Sequence, residues 1–368
     1  MLKSLALENF TVFRKEHLVF GQNLNVIVGE NGAGKTHLLK AAYSAIAVLA
    51  ESRGGFGEGA YGVGAYGQTP PGKSRLQTAL ADKLMGVFRP DALGGLVRRA
   101  QGRLKCELKF RFDKEALGVD FGFSRMATRE VSISKTPTET VRERPVYLPT
   151  RELLTISPGF VSLYETMHLP FEETWRDTCI LLGAPLARGP REARIRELLL
   201  PLQTSMGGTV VLDRSGRFYL NKEVGGNLEM HLVAEGMRKL ATVARLIATG
   251  SLLDKGYLFW DEPESNLNPR IMKAVAKTIL QVAKNGIQVF VATHSLFLLR
   301  ELHVLHKREF AKLDVRYIGL HVGEGDEAVR VQQGKTIDEI GSIAALDEDL
   351  EQSDRYMEVE MGPGTEAE

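Results

Sequence analysis

Cysteine is scarce in this chain of 368 residues: only Cys106 and Cys179 occur, far apart and in no metal-ligand spacing. That excludes a disulfide framework and fits a reducing cytoplasm. An excess of one charge is also missing. Lys and Arg number 47 against 46 Asp and Glu, so the formal net charge of +1 argues neither for nor against a nucleic-acid partner. No apolar run approaches the roughly 20 residues that span a bilayer. The first residues, MLKSLALENF, are too short and too regularly interrupted for a signal peptide, so no membrane role is expected. There is no internal repeat, and the helical stretches are far too short for a long coiled-coil arm. What remains is globular in composition, with 43% hydrophobic and 25% charged residues, and long enough for one large domain with insertions or for two domains.

One stretch carries a specific pattern: Asn25 to Leu39, NVIVGENGAGKTHLL. Val26-Ile27-Val28 reads as a buried strand. Gly29 to Thr36 fits G-x-x-x-x-G-K-[ST] at every fixed position, and His37-Leu38-Leu39-Lys40-Ala41-Ala42 reads as helix. Strand, glycine loop and helix in that order are the context a phosphate-binding loop requires. Glycines let the backbone turn with its N–H groups inward, where they and the helix N-terminus hold phosphate oxygens. Gly29, Asn31, Gly32, Ala33, Gly34, Lys35, Thr36 and His37 are thus the expected nucleotide-binding residues. Lys35 would neutralise the β- and γ-phosphates, and the Thr36 hydroxyl would ligate Mg²⁺. Phe13, ahead of the loop, either stacks on adenine or packs in the core.

A second constellation lies far downstream. Tyr257-Leu258-Phe259-Trp260-Asp261-Glu262 is an apolar strand ending in two carboxylates, at the edge where open α/β sheets bind ligands. Asp261 would hold Mg²⁺ opposite Thr36, and Glu262 would polarise the attacking water. Adjacent residues at a strand end point in different directions, so the two acids need not crowd one ion. Gln288 to Ser295 is another strand with a polar end, where His294 is placed as a donor to the γ-phosphate. Between the two strands, Pro269 opens a helix after Ser265-Asn266-Leu267-Asn268. Upstream, Leu232 to Leu240 opens a helix running to Ala248. Its start, Ala234-Glu235-Gly236, either presents N–H groups to an anion or is a plain helix start.

The remaining chain reads as follows. Ser4–Leu7 and Leu18–Phe20 are strands, and the helix after the loop runs to about Ala50 and is apolar on most sides. Glu51 to Lys73 is rich in glycine and reads as a loop, either a plain linker or a segment that orders on binding. Ser74 to Ala100 reads as helix. Leu104–Phe112, Val119–Phe123, Val131–Ser134 and Pro145–Leu148 read as an inserted antiparallel sheet. Arg98, Arg99, Arg103, Lys105, Lys109 and Arg111 are either a surface for phosphate backbone or a solvated face. Two or three helices follow over Gly159 to Leu202, with arginines at Arg188, Arg191, Arg194 and Arg196. Val210–Leu212 and Arg217–Leu220 form a hairpin, and the acidic tail from Asp347 reads as frayed. The expected fold class is α/β, a P-loop NTPase with an inserted antiparallel sheet and a helical subdomain. The expected divisions are 1–50, 51–149, 150–206, 207–335 and 336–368.

In order, GENGAGKT, AEGMRK, YLFWDEPE, SNLNP and VATHS resemble the ABC-type ATPases, in the soluble branch shared by SMC, RecF and OLD proteins. The resemblance covers about 1–50 and 225–305. Within the branch, LPTREL followed by ISPGF is similar to short bacterial anti-phage defence ATPases of the PARIS- and Septu-like kind. It implies ATP and Mg²⁺ as cofactors, and hydrolysis with Glu262, His294 and Lys35 as catalytic residues. It also implies nucleotide closed between two copies, Gly29 to Thr36 of one facing Ala234, Glu235 and Gly236 of the other. The implied partners are a homodimer or larger homo-oligomer, a separate nuclease or toxin chain as effector, and nucleic acid or a phage protein. A RecF-like repair ATPase and a slow nucleotide switch are the alternatives. The family's glutamine-bearing Mg²⁺ loop has no clean match, and Thr150-Arg151-Glu152 stands in its place. Ala234 replaces the signature serine, and Asn268 replaces the usual histidine, departures that can slow hydrolysis. No Toprim-like acidic cluster follows His294, so a nuclease is expected on another chain.

Overall fold

The computed structural model describes residues 1–51, 71–142, 144–167, 169–189, 192–253, 256–323 and 328–361. The expected glycine-rich loop falls largely on 52–70 and, like Arg191, lies outside the described residues. The chain begins with β1 (Leu2–Phe10), β2 (Phe13–Val19), β3 (Leu24–Gly29), α1 (Lys35–Glu51) and α2 (Lys73–Phe88). Next come β4 (Lys105–Phe112), β5 (Val119–Ser124), β6 (Ser132–Lys135) and β7 (Val146–Leu148). Three helices follow, α3 (Ser157–Met167), α4 (Glu173–Gly183) and α5 (Glu192–Met206), then β8 (Thr209–Leu212), β9 (Phe218–Lys222) and β10 (Gly226–Glu229). The last part holds α6 (Glu235–Ala248), β11 (Tyr257–Asp261), α7 (Pro269–Lys284), β12 (Gln288–Thr293) and α8 (Leu296–Glu309). It closes with β13 (Val315–His321), β14 (Arg330–Gly334) and α9 (Ala344–Met361).

Strands with continuous apolar runs go to the centre. β3, β11 and β12 are buried along their whole length, as strands covered on both faces must be. They belong to a six-stranded sheet of order β14-β13-β3-β12-β11-β7, parallel except for β14 at the edge. Ile27, Phe259 and Phe290 on one face share a core with α1, while Val26, Val28, Leu258 and Val291 on the other share one with α6, α7 and α8. The far side of α1 meets a second sheet, antiparallel, of order β2-β1-β4-β5-β6. Caught between two sheets, α1 is buried from Leu38 to Ala50, and its alanines keep the layers close.

A buried amide is one of the ties between the two sheets. The Gln288 side chain accepts from Leu2 N at 2.8 Å and donates to Leu2 O at 2.7 Å and Gly21 O at 2.8 Å. A buried amide with three bonds is satisfied, so it adds order without the cost of an unpaired polar group.

Several expectations change. The expected antiparallel strands β4, β5 and β6 form, and they do not stand alone: β4 pairs directly with β1 and extends the N-terminal hairpin. β7 leaves that group and lies parallel beside β11. The helix expected over Ser74 to Ala100 stops at Phe88, where Arg89 takes φ 55° and caps it ahead of Pro90. A third strand, β10, joins the expected hairpin. The acidic tail is helical to Met361 as α9. Among the basic residues, Arg111 pairs with Asp120 and Lys109 with Glu107 at 3.2 Å, so part of that stretch is neutralised within its own sheet.

The helical subdomain is fixed to the core by a buried ionic cluster. Lys83 of α2, 3% exposed, reaches Asp177 at 2.7 Å, Glu173 at 2.9 Å and Glu51 at 3.3 Å. The Tyr43 hydroxyl donates to Asp177 at 2.7 Å. Burial pushes the Asp177 carboxyl up, but Lys83 and Tyr43 outweigh it and hold it below its ordinary value. Burial dominates at Glu51 and Glu173, whose values rise. Lys83→Met keeps the stem but takes the cation from Glu51 and Glu173 and leaves Asp177 with Arg176 alone, at 3.0 Å, a change that typically costs about 3–5 kcal/mol. Urea unfolding should show that loss. A midpoint equal to that of the unaltered chain would mean that Lys83 does not hold α1, α2 and α4 together.

Candidate nucleotide site

The loop after β3 turns on two glycines with left-handed backbone, Gly32 at φ 85° and Gly34 at φ 89°. At Gly34 there is no room either, since a Cβ would lie 2.6 Å from Val12 Cγ2 and 2.9 Å from the Phe13 ring. Lys35, 5% exposed, folds back over the loop and donates to the carbonyls of Gly29 at 2.8 Å and Glu30 at 2.9 Å. Burial lowers its pKa, against the pull of Glu262, Asp261 and Glu264. Asn31 and Gly32 are exposed at the tip, and Ala33 is buried beneath it.

The parallel sheet brings β11 and β12 to the same edge. The Thr36 hydroxyl donates to Asp261 Oδ2 at 2.8 Å, joining positions 225 residues apart. Asp261 is buried, and its Oδ1 has no hydrogen-bond partner. Burial pushes its carboxyl up to about 6, against the Thr36 bond. Just past the strand, Glu262 takes φ 45° and its N–H donates to Ala292 O at 2.9 Å. A non-glycine residue held there is strained, a feature that gathers at functional sites. The turn swings the Glu262 carboxylate away from Asp261, and Oε1 lies 3.3 Å from His294 Nδ1. Glu264, also buried, accepts from Thr293 Oγ1 at 2.6 Å and His294 N at 3.1 Å, fixing the end of β12.

Lys35, Thr36, Asp261, Glu262 and His294 therefore meet. Other expected residues do not join them. Phe13 is fully buried, with its ring against Gly34, so it supports the loop from below and cannot stack on a base. The His37 ring faces Phe88 of α2 at 5.9 Å, and burial lowers its pKa, so its side chain belongs to the α1–α2 contact. Ala234 is the N-cap of α6; Glu235 accepts from Asn266 Nδ2 at 3.0 Å, and Gly236 packs on Leu267. That start of α6 thus rests on the turn after β11 in its own chain. Glu152, placed as a metal-loop stand-in, is held by Arg238 Nε at 3.2 Å and Thr155 Oγ1 at 2.6 Å, and so belongs to the α6 contact. Asn268 caps α7, its Oδ1 accepting from Ile271 N at 3.0 Å.

Three residues escaped the sequence reading. Tyr147 of β7 donates to Asp261 Oδ2 at 3.4 Å. Lys239 of α6, its pKa lowered by burial, donates to Ser265 O at 2.7 Å. Glu264 was legible in principle, as the third acid of Asp261-Glu262-Pro263-Glu264. Nothing in the sequence marks Tyr147 or Lys239.

A family model described as an AAA domain, putative AbiEii toxin, Type IV TA system, matches residues 131–300, which hold Asp261, Glu262 and His294. A second AAA-domain model matches residues 4–45, which hold the loop. An SMC head bound to the C-winged helix domain of ScpA superimposes with a TM-score of 0.54 at 14% identity, covering 92% of this chain and 98% of that one. The fold is that of an ABC-type ATPase head. The SMC head from Pyrococcus furiosus, solved with an extended coiled coil and the C-terminal domain of ScpA, gives a TM-score of 0.50 at 12% identity, covering 97% and 99%. In sequence, 42 residues are 48% identical to the DNA replication and repair protein RecF of Clostridioides difficile (strain 630), only 11% of each chain. Among the described residues, no helix of this head is long and apolar enough to cross a membrane.

The raised Asp261 carboxyl makes a prediction about stability. Its folded value, about 6, lies above the ordinary 3.8, so the folded chain holds that proton more tightly. Ionisation then opposes folding; the penalty is absent below 3.8 and complete above about 6. Asp261→Asn keeps the acceptor oxygen and removes the charge. In chelator at about pH 8 it should stabilise the fold by on the order of 2–3 kcal/mol, a gain that fades as pH falls toward 4. Thermal unfolding across pH measures it; a gain independent of pH would refute the burial argument.

Proposed function

We propose that this chain is an Mg²⁺-dependent ATPase that binds ATP at Gly29 to Thr36 and closes it between two copies. The observation that carries the reading is the Thr36–Asp261 hydrogen bond, which joins the phosphate-type loop after β3 to an acid at the carboxyl end of β11, with β12 between the two strands. The residues fit the ion. Asp261 Oδ1 is buried without a partner, and the Thr36 hydroxyl is the second hard oxygen donor beside it. When bound, Mg²⁺ neutralises phosphate charge and fixes the reacting oxygens.

The chain's own groups supply the rest. Loop N–H groups and Lys35 hold the phosphates. Glu262 takes the proton of the attacking water, and His294, whose Nδ1 lies 3.3 Å from that carboxylate, donates to the γ-phosphate through its other ring nitrogen. The N-terminus of α6, starting at Ala234, meets the nucleotide of the second copy through backbone N–H groups, since Ala234 has no hydroxyl. We further read the head as regulating a separate effector, a nuclease or toxin, in anti-phage defence, with nucleic acid or a phage protein as trigger. The toxin–antitoxin description of the matching family supports this, as does the Leu148-Pro149-Thr150-Arg151-Glu152 stretch. The RecF similarity is confined to 42 residues and carries no repair role by itself.

Two variants test the reading. Lys35→Ala should lose most ATP affinity in calorimetry while remaining folded; unchanged binding would mean that the loop does not hold nucleotide. Glu262→Gln keeps shape but removes the base, a loss typically of roughly 10²–10⁴-fold in rate. Phosphate release should nearly stop while ATP binding survives, giving a longer-lived ATP-loaded dimer by light scattering. Hydrolysis near that of the unaltered chain would remove Glu262 from the chemistry.

A further inference from the structure

The two oxygens of Asp261 are treated unequally. Oδ2 accepts from both Thr36 Oγ1, at 2.8 Å, and the Tyr147 hydroxyl, at 3.4 Å, while Oδ1 is buried and has no partner. Two donors on one oxygen fix the rotation of the carboxylate and leave the other oxygen as the one available to a cation. Thr36 can keep its proton on Oδ2 while a lone pair faces a cation, so the Tyr147 hydroxyl is a second donor to the same oxygen.

Tyr147 is built to be held still. It pairs in register with Phe259, two residues before Asp261, so strand alternation puts Tyr147 and Asp261 on the same face of the sheet. Its side chain is 1% exposed, and its ring meets Tyr43 edge-on at 5.4 Å. Its backbone carbonyl accepts from Thr178 Oγ1 of α4 at 2.5 Å. A phenol locked by a strand, a ring and a helix can orient the acid at the end of β11.

We propose that Tyr147 is a positioning residue for the metal-binding acid, holding Asp261 Oδ2 so that Oδ1 faces the cation. Groups that orient a ligand from behind commonly matter nearly as much as the ligand itself. The helical subdomain thereby touches the metal-binding end of the site through a short chain of contacts, from Thr178 to Tyr147 to Asp261. The inference rests on the ATP–Mg²⁺ reading above.

The experiment measures binding, without turnover. A non-hydrolysable ATP analogue, adenylyl imidodiphosphate, is titrated by calorimetry into the full chain, in chelator and at rising Mg²⁺. Tyr147→Phe removes one hydroxyl and keeps the ring. Affinity in chelator should be unchanged, and the gain conferred by limiting Mg²⁺ should fall about 10-fold or more. Excess Mg²⁺ should restore it. Tyr43→Phe is the control: it deletes an equally buried phenol hydroxyl, bound to Asp177 at 2.7 Å, that does not touch Asp261. It should lower the unfolding temperature and leave the Mg²⁺ dependence alone. If both variants shift the Mg²⁺ dependence equally, or Tyr147→Phe shifts it not at all, Tyr147 has only a packing role. If the unaltered chain itself gains nothing from Mg²⁺, the ATP–Mg²⁺ reading fails first.

Discussion

Burying one ammonium among three carboxylates is the constraint that shapes this head. Lys35 is almost fully buried, and burial lowers its pKa; Glu262, Asp261 and Glu264 oppose that. Those acids come from the end of β11 and the turn after it, so the sheet must bring β3 and β11 to one edge with β12 between them. Each acid is then individually restrained: Asp261 by Thr36, Glu262 by a strained backbone, Glu264 by Thr293 and His294. A loop of glycines can bend around phosphates in many proteins. Here the bend is useful because the charge it carries is already balanced.

How much of this was written in the sequence depends on the range of the interaction concerned. The loop and the strand ending in Asp261 and Glu262 were legible because their chemistry is local: spacing and residue type suffice. The same held for α6 and for the cap of α7. Sheet membership was not legible. Alternation showed that Lys105 to Phe112 is a strand, but nothing in it says that its partner is β1. β7 reads like its antiparallel neighbours, although its three buried residues belong to the parallel sheet. Phe13 shows the same limit, since an aromatic beside a phosphate loop has two plausible fates and only the contact with Gly34 separates them. Tyr147 was invisible for the same reason, because its partner lies 114 positions away.

The two family matches fall on either side of a gap, one ending at residue 45 and the other starting at 131. The shared parts are those that carry the phosphate-type loop and the acids. The intervening stretch holds α2 and two strands of the antiparallel sheet, β4 and β5. It is tied to the remainder by generic forces, a hydrophobic core and the ions around Lys83, which many sequences satisfy. Identity of 12–14% with SMC heads over almost the whole chain is what such a division would leave.

The Gln288 amide gives the head a mechanical property. Its three hydrogen bonds sit at the start of β12, while Thr293 and the acids it contacts sit at the other end of the same strand. The phosphate-type loop has one wall from each sheet, β3 from the parallel one and Val12 with Phe13 from the antiparallel one. The loop end is tied as well: Val329, just ahead of β14, donates its N–H to Val12 O at 3.2 Å, and the Gln333 amide of β14 bonds the backbone of His17 and Val19 on β2. The two walls of the cradle are therefore clasped at both ends of the sheets, and its width is set by backbone bonds and not by the loop alone.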